Sequence, residues 1–308
     1  MIKTLKNYNS SQNINQSLNI FLGHKYLDTI INSGIGLMED SFICIAARPG
    51  TGKTTFAIDL VCRQLLLGHN ILFFSLEMTD DTLISKILSR MTQKPFKSIH
   101  SKEYDCSSII DRFNQYLRID DNPRCTVQTI KQTYQDVLNS SFIPQIIILD
   151  HIGRLGHINS KFNQYQANSD NVIELRTMQL ETKVPFIFMA QIHRMKDETV
   201  ITSTNDKKKV TEKFYIPKLA DLAETGKLEQ ECTNVISLAS IEEISNIQEI
   251  QACTVLKNRY GPKSKQWDDI QMLTNREISS YKEYKIFKWK FDQLLNKSVR
   301  EEINMKML

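Results

Sequence analysis

The residues best suited to chemistry lie at 46–54, where the chain reads AARPGTGKT. An apolar run, FICI, precedes this segment and a helical pattern follows it, so the segment joins a strand to a helix. Gly50 and Gly52 let backbone N–H groups approach a polyphosphate closely. Lys53 can reach its β and γ oxygens, and the Thr54 hydroxyl suits Mg²⁺. The segment therefore predicts the phosphate-binding loop of a protein that uses a nucleoside triphosphate.

One position of this loop departs from the usual pattern, because Ala47 stands where the first glycine is expected. Alanine permits the turn provided that its φ stays negative. The alternative is a glycine-rich turn into a helix that binds no ligand. Glycine, lysine and threonine all stand in register between a strand and a helix, and this favours phosphate binding.

Polar side chains follow three other apolar runs of strand length. The run IIIL ends in Asp150, whose carboxylate can support Mg²⁺ beside the loop. Glu77 follows ILFFSL and is a candidate base for the attacking water, unless it is an exposed neighbour of Thr79, which is placed to cap the next helix. Gln191 follows PFIFMA and either senses the γ-phosphate or makes an ordinary hydrogen bond at the strand end. The residues expected to bind the nucleotide are Ala47, Arg48, Pro49, Gly50, Thr51, Gly52, Lys53, Thr54 and Asp150, and the two expected to hold the metal are Thr54 and Asp150.

The elements that position these residues alternate along the chain. Strands are predicted at 42–47, 71–76, 146–150 and 185–190. Helices are predicted at 53–67, 79–92, 126–140 and 170–183. Such an alternation predicts an α/β fold with a mostly parallel sheet and helices on both faces. Further strands at 234–239, 250–256 and 266–273, the last two forming a hairpin around Gly261 and Pro262, extend the sheet at one edge.

The predicted organisation is one domain with appendages. Residues 1–20 are expected to form a polar arm, residues 21–275 the α/β domain, and residues 195–217 a long mobile loop. Residues 276–308 are expected to form a charged helical tail. Five apolar residues of this tail share one helical face. They are Tyr284, Phe287, Phe291, Leu294 and Leu295.

Composition sets wide limits on function. The 308 residues carry a net charge of +4, which permits a polyanionic partner without requiring one. The six cysteines show no C-x-x-C pair, so we expect buried free thiols in a reducing compartment. No segment approaches the roughly 20 apolar residues of a membrane span, and no membrane partner is expected. Frequent Ile, Lys and Asn suggest an AT-rich genome, which places the chain in the cytoplasm of a bacterium or phage-infected cell, or in a plastid stroma.

The blocks AARPGTGKT, SLEM, IIILDH, MAQIHR, DLAETGKLEQE and LKNRYGP occur in this order across roughly residues 20–275. In this order the chain resembles the DnaB-type replicative helicases, a family with a RecA-like P-loop NTPase core. The resemblance implies ATP-driven, 5′-to-3′ unwinding of DNA by a ring, a homo-hexamer, that encircles a single strand. It also implies ATP and Mg²⁺ as cofactors, and a primase or a helicase loader as partner.

The resemblance assigns roles to five residues outside the phosphate loop. Glu77 would activate water, Asp150 would support the metal, and Gln191 would couple the γ-phosphate to the DNA-binding loops. Lys257 and Arg259 match the family's finger, which reaches the γ-phosphate of the neighbouring subunit. Without the other blocks, an arginine before Gly261 and Pro262 would indicate only a hairpin with a solvated cation.

The DNA-facing segment departs from the family at one position. The family's arginine after Asp-Leu is Ala223 here, so DNA affinity is expected to be reduced. Glu224 and Gly226 remain, which keeps backbone contacts to DNA phosphates, and Lys227 can supply a replacement charge. The lysines at Lys207, Lys208 and Lys209 either follow the DNA backbone or form a solvated loop. His151 replaces the family's tyrosine after the aspartate.

Two other hypotheses stay open from the sequence. The family precedes its ATPase with a helical domain and a linker helix, whereas about 40 residues precede the first strand here. This difference, together with Ala223, allows a degenerate module that binds nucleotide and replication partners without unwinding. A recombinase or clock-type ATPase of the same fold is the other alternative, and the block KNRYGP argues against it.

Overall fold

Helices and strands alternate in the computed structural model, which describes residues 20–157, 164–192, 217–222, 226–263 and 270–286. The α-helices are α1 (Lys25–Ile30), α2 (Lys53–Leu66), α3 (Asp80–Thr92), α4 (Phe96–His100), α5 (Ser107–Phe113), α6 (Val127–Asn139), α7 (Gln164–Thr182) and α8 (Gly226–Glu231). The strands are β1 (Phe42–Ala47), β2 (Ile71–Ser75), β3 (Leu117–Asp120), β4 (Ile146–Asp150), β5 (Phe186–Gln191), β6 (Asn234–Glu243), β7 (Gln248–Asn258), β8 (Ile270–Asn275) and β9 (Ser280–Ile286). Short 3₁₀ helices occur at Ile31–Gly34, Asn114–Tyr116, Ile152–Arg154 and Leu219–Asp221.

The strands of the described ranges form one sheet in the order β3-β2-β4-β5-β1-β6-β7-β8-β9. The six strands from β3 to β6 in this order pair in parallel, and β7, β8 and β9 continue the sheet in antiparallel fashion. All residues of β1 and β4 are buried, because helices cover both faces of the parallel part. The predicted fold class is therefore confirmed, and so is the extension of the sheet at one edge.

A separate apolar core lies on each face of the sheet. Ile43 and Ile45 of β1 pack on one face with Phe56 of α2, whereas Phe42 and Cys44 point to the other. Helices α2 and α3 cover the first face, and α6 and α7 cover the second. All six cysteines are buried and free, as expected from their place in apolar runs. No helix among the described residues combines the length and apolar character needed to cross a bilayer.

Local signals explain where two of the covering helices begin. Thr79 caps α3 by accepting a hydrogen bond from the Thr82 N–H, and Asp80 and Asp81 lie in the first turn. Thr126 caps α6 and exchanges hydrogen bonds with Thr129. The first cap fixes the start of the helix that follows β2, and the second fixes the start of the helix that precedes β4.

The tail is the main correction to the predicted elements. Residues 280–286, predicted as part of a helical tail, form the edge strand β9, which pairs with β8. Its sequence SYKEYKI has apolar residues at Tyr281, Tyr284 and Ile286, and the spacing of three is compatible with a helical face. In the strand, an irregular register with β8 accommodates this spacing. Tyr284 lies in this strand, whereas Phe287, Phe291, Leu294 and Leu295 lie outside the described residues, as do the proposed arm up to residue 19 and most of the loop at 195–217.

Candidate active site

The phosphate loop connects β1 to α2 at the carboxyl edge of the parallel strands. Gly50 and Gly52 have φ values of +79° and +95°, which L-residues with a side chain rarely adopt. A Cβ atom added at Gly50 would meet nothing within 4 Å, so the positive φ alone demands glycine there. Gly52 is the N-cap of α2, whose amino end therefore faces the loop. The loop offers N–H groups and a helix dipole to an anion.

Ala47 fits the loop because it still belongs to the strand. It is the last residue of β1 and pairs with Gln191 and Leu238 on the two neighbouring strands. Extended backbone is accessible to any residue, so the absence of glycine at this position costs no strain. The departure from the usual pattern is thus explained by where β1 ends.

Lys53, Thr54 and Asp150 converge beside the loop. The Thr54 hydroxyl donates a 2.6 Å hydrogen bond to Oδ2 of Asp150, which ends β4 and is 2 % exposed. Lys53 is also buried, with Nζ 3.5 Å from the Ala47 carbonyl oxygen. Burial raises the pKa of the Asp150 carboxyl, and the hydrogen bond from Thr54 lowers it in part. The pair of oxygen-bearing side chains thus lies beside a buried ammonium group.

These residues fit a magnesium ion held together with a phosphate. Oδ1 of Asp150 is buried and has no hydrogen-bond partner among the described residues, so it can accept from a metal-bound water. No group of three or more His, Cys, Asp or Glu side chains in the described ranges could hold a metal alone. A hard cation would therefore depend on Thr54, Asp150 and phosphate oxygens.

Glu77 lies in the turn after β2, on the same edge as Asp150. Its Oε1 is 3.0 Å from Nε2 of His151 and 3.8 Å from Nε of Arg154, and 29 % of its side chain is exposed. The hydrogen bond with His151 lowers the pKa of the Glu77 carboxyl, and the charge of Lys53 acts in the same direction. Glu77 is thus a partly buried carboxylate next to the phosphate loop, while Thr79 caps α3 at the same time.

Gln191 ends β5 and stands beside the end of β1. Its side-chain amide lies 3.3 Å from Nε2 of His151, the same atom that contacts Glu77. In the sequence, His151 is marked only as a departure from the family. The contact that brings it to the site depends on the strand order β2-β4-β5, for which the sequence carries no direct signal.

Side chains from β7 and β9 hold the backbone of the phosphate loop, and no pattern in the sequence indicates this support. The Gln251 amide donates to the Thr51 carbonyl oxygen and to Oε1 of Glu249. The hydroxyl of Tyr281 lies 2.8 Å from Oε1 of Gln251 and 3.2 Å from the Gly52 carbonyl oxygen. Tyr281 is fully buried, which raises the pKa of its phenol. The antiparallel edge of the sheet therefore supports the loop from behind.

Arg259 follows β7 and lies at the amino ends of the parallel strands, whereas the phosphate loop lies at their carboxyl ends. Its N–H donates to the carbonyl oxygen of Thr233, whose N–H donates to Phe42 at the start of β1. The loop begins after Ala47, five residues along the strand, which is roughly 16 Å at about 3.3 Å per residue. The Arg259 side chain is exposed. It therefore does not reach the phosphate loop of its own chain.

Lys257, near the end of β7, points to α8. Its ammonium group donates to the carbonyl oxygens of Glu229 and, at 3.1 Å, Gln230 at the end of that helix. Burial lowers the pKa of Lys257. The structure thus places Lys257 away from its own phosphate loop as well, and attaches β7 to α8, the helix of the segment that the resemblance assigns to DNA binding.

The DNA-facing segment is only partly described. Gly226 begins α8 and donates its N–H to the Tyr165 hydroxyl at 3.2 Å, and Lys227 donates to Oε1 of Gln230 at 2.8 Å. Ile192, directly after Gln191, forms an antiparallel bridge with Leu222 just before this segment. The other residues expected to bind DNA lie outside the described residues. They are Lys207, Lys208, Lys209 and Glu224, together with the substituted position Ala223.

A parallel sheet with a phosphate loop, a threonine–aspartate pair, a carboxylate and an amide along one edge defines a P-loop NTPase with a RecA-like core. The family model of the DnaB-like helicase C-terminal domain matches residues 20–283. The chain belongs to this family.

Relatives support the assignment. The chain is 26 % identical over 246 residues to a probable plasmid replicative DNA helicase of Chlamydia psittaci, a match that covers 76 % of this chain and 50 % of the relative. It is 27 % identical over 252 residues to the replicative DNA helicase DnaB of Leifsonia xyli subsp. xyli, covering 78 % and 51 %. The chain thus spans about half the length of these curated relatives.

Solved structures share the fold. The structure of a DnaB-like replicative helicase and its interactions with primase gives a TM-score of 0.71 and 20 % identity, covering 92 % of this chain and 69 % of that chain. A second solved structure, described as an ATPase domain, superposes with a TM-score of 0.70 and 19 % identity, covering 91 % and 96 %.

Proposed function

We propose that the chain is the ATP-hydrolysing motor of a replicative DNA helicase that moves 5′-to-3′ along single-stranded DNA. The observation that carries this proposal is the convergence of Lys53, the Thr54–Asp150 pair and Glu77 at one edge of the sheet. Family membership supplies the direction and the nucleic-acid substrate. The bacterial relatives favour a bacterial or phage setting, and an AT-rich plastid is the alternative from composition.

Chemically, the loop N–H groups and Lys53 bind the β and γ phosphates. Bound Mg²⁺, held by Thr54 and Asp150, would supply charge neutralisation at the phosphates. Glu77 orients the attacking water and accepts its proton, and the lowered pKa of Glu77 keeps it a carboxylate at neutral pH. Gln191 contacts the γ-phosphate and reports its presence to Leu222 through the bridge at Ile192.

Assembly completes the site. Because Arg259 lies at the edge opposite its own phosphate loop, it serves the γ-phosphate of a neighbouring subunit. Lys257 is part of the same finger by family resemblance. Repetition of this contact builds a homo-oligomer, which we propose to be a hexameric ring.

DNA contacts are proposed for the segment that follows Leu222. Gly226 and Glu224 present backbone N–H groups, and Lys227 and the lysines at 207–209 add positive charge. Ala223 lowers the affinity, since one phosphate contact is missing. A primase or a helicase loader is the proposed protein partner, and one of the structural neighbours is described with primase.

The test is ATP hydrolysis by the purified chain with and without single-stranded DNA, together with displacement of a labelled strand from a forked duplex. The proposal expects hydrolysis that DNA stimulates and strand displacement that requires ATP. Nucleotide binding without either activity would support the degenerate module instead. That alternative is not favoured, because the family match is accompanied by Glu77 and Arg259 at the base and finger positions.

A further inference from the structure

His151 is held on both ring nitrogens directly after Asp150. The side chain is almost fully buried, and the Gly153 N–H donates a 3.1 Å hydrogen bond to Nδ1. This bond caps the short 3₁₀ helix Ile152–Arg154. Because Nδ1 accepts a hydrogen bond, the ring proton is on Nε2.

The Nε2 proton of His151 faces Glu77 and Gln191. Oε1 of Glu77 lies at 3.0 Å and accepts the proton, and the amide nitrogen Nε2 of Gln191 lies 3.3 Å from the same ring nitrogen. Two donors cannot pair, so the Gln191 amide must turn its oxygen to the ring. One proton makes one strong bond at a time, and Glu77 and Gln191 therefore compete for it.

Strand order explains why this residue reaches both partners. Strand β4 lies between β2, which leads to Glu77, and β5, which ends in Gln191. A donor directly after β4 is therefore adjacent to both neighbouring strand ends. Glu77 contacts both His151 and Arg154 through Oε1, so Oε2 can orient a water molecule while these contacts persist.

We propose that His151 is a positioning residue that passes the state of the Gln191 amide to Glu77. When Gln191 turns to the γ-phosphate, the Nε2 proton is shared no longer and holds Glu77 in one orientation beside the attacking water. Without a γ-phosphate, Gln191 competes for the proton and Glu77 is held less firmly. This inference rests on the proposed ATPase function of the same site.

The experiment compares two matched pairs of variants in the full chain. H151Q and H151M have similar size, and so do H151Y and H151F, but only glutamine and tyrosine can donate a hydrogen bond. Neither tyrosine nor phenylalanine has an acceptor at the position of Nδ1, so loss of the 3₁₀ cap does not distinguish H151Y from H151F. H100Q, a change at an exposed histidine on α4, is the control.

We expect kcat for ATP of H151M and H151F to be roughly ten- to hundredfold below that of H151Q and H151Y, respectively. KM for ATP should change by less than about twofold, because His151 does not contact Lys53 or Thr54. If His151 had only a structural role, the two variants of each pair would lose the same stability and have the same kcat. Equal kcat values within both pairs, in a folded protein, would overturn the inference.

The wild-type chain provides a second measurement if the methionine and phenylalanine variants do not fold. NMR of protein labelled with ¹⁵N-histidine should show His151 protonated on Nε2, with a resonance that moves when a non-hydrolysable ATP analogue binds. A proton on Nδ1, or no response to the analogue, would refute the inference. Wild-type protein that hydrolyses no ATP would refute the proposed function itself, whereas active wild type with equal variants would refute only the role of His151.

Discussion

At the scale of single residues, the site is organised around the hydrogen bond from Thr54 to Asp150 at 2.6 Å. This contact places the Asp150 carboxylate, the proposed support of the metal, next to the first turn of α2. Lys53 is the adjacent buried cation, and no other element brings a lysine of the described residues into the loop at comparable depth. Removal of the Lys53 ammonium group should therefore slow phosphate transfer more than it lowers the stability of the fold.

Changing Lys53 to Ala should lower ATP turnover at least about a hundredfold, because the charge that faces the γ-phosphate is lost. The measurement is steady-state phosphate release, with circular dichroism to check the fold. Lys131→Ala, which removes a surface pair with Glu174 at 3.2 Å, is the matched control and should leave turnover unchanged. Unchanged turnover in the Lys53 variant would place the site elsewhere.

The sequence was sufficient to predict which residues end the central strands, and their convergence on one edge follows from parallel pairing. Their catalytic and DNA-binding roles stay predictions. The supporting residues could not be predicted, since they depend on contacts between distant parts of the chain. Gln251 meets Thr51 across 200 residues, and Tyr281 meets Gly52 across 229. Nothing local to either partner marks such a contact.

At the scale of elements, β9 has a role that its position at the sheet edge does not suggest. It carries Tyr281 to the back of the phosphate loop, where the ring also packs edge-on against Phe56 at 5.2 Å between centroids. Arg276, in the turn before β9, binds Glu249 at 2.9 Å and so anchors the residue that contacts Gln251. The edge strands thus fix the shape of the loop.

Changing Tyr281 to Phe should weaken ATP binding several-fold and lower stability by about 1 kcal/mol, because Gln251 loses a buried partner while the ring stays in place. A fluorescent ATP analogue measures the affinity, and urea unfolding measures the stability. Tyr104→Phe, at an exposed site on the surface, should change neither. An affinity equal to wild type would mean that the loop keeps its shape without this hydroxyl.

The segment before α1 contacts the buried carboxyl group of Asp28, whose pKa is raised. Asp28 accepts hydrogen bonds from the Leu22 and Gly23 N–H groups, and burial raises its pKa to about 7 from 3.8. The folded chain then binds more protons than the unfolded chain between these values. Stability from this group is complete below about pH 4 and falls as pH rises to about 7, by at most about 4 kcal/mol.

Asp28→Asn should therefore make the free energy of unfolding less dependent on pH between about 4 and 7. Urea denaturation at a series of pH values gives this slope. Glu283 and Arg63 also act on Asp28, so the informative quantity is the difference between variant and wild type. The control is Asp136→Asn, on the exposed face of α6, which should show the same change of unfolding free energy with pH as the wild type. An Asp28→Asn variant with the wild-type pH dependence would contradict the raised pKa of Asp28.

The central elements could be predicted because they are long and strongly apolar, as in β1 and β4. Strand β3 was missed, since it is four residues long and only partly buried. The short helices α1, α4, α5 and α8 were missed for the same reason of length. The sequence predicts a helix at β9 because Tyr284 and the apolar residues after it recur at helical spacing.

At the scale of the whole molecule, the phosphate loop lies at the carboxyl ends of the parallel strands and Arg259 lies at their amino ends. If Arg259 serves a neighbouring subunit as proposed, Arg259→Ala should depress hydrolysis only where subunits assemble. Mixing inactive Lys53→Ala and Arg259→Ala proteins should restore part of the turnover, because some interfaces pair an intact loop with an intact finger. Turnover that stays at the level of the separate variants would assign Arg259 a structural role.

The placement of Arg259 at the edge away from its own loop has a consequence for symmetry. A contact between one edge of a subunit and the other edge of the next cannot be related by a two-fold axis, so every subunit in a closed circle faces the same way. Such a circle has a front and a back. In the ring that we propose, a DNA strand, which has its own chemical polarity, could pass through in two inequivalent orientations, and the direction of travel would be fixed when the ring closes on the strand.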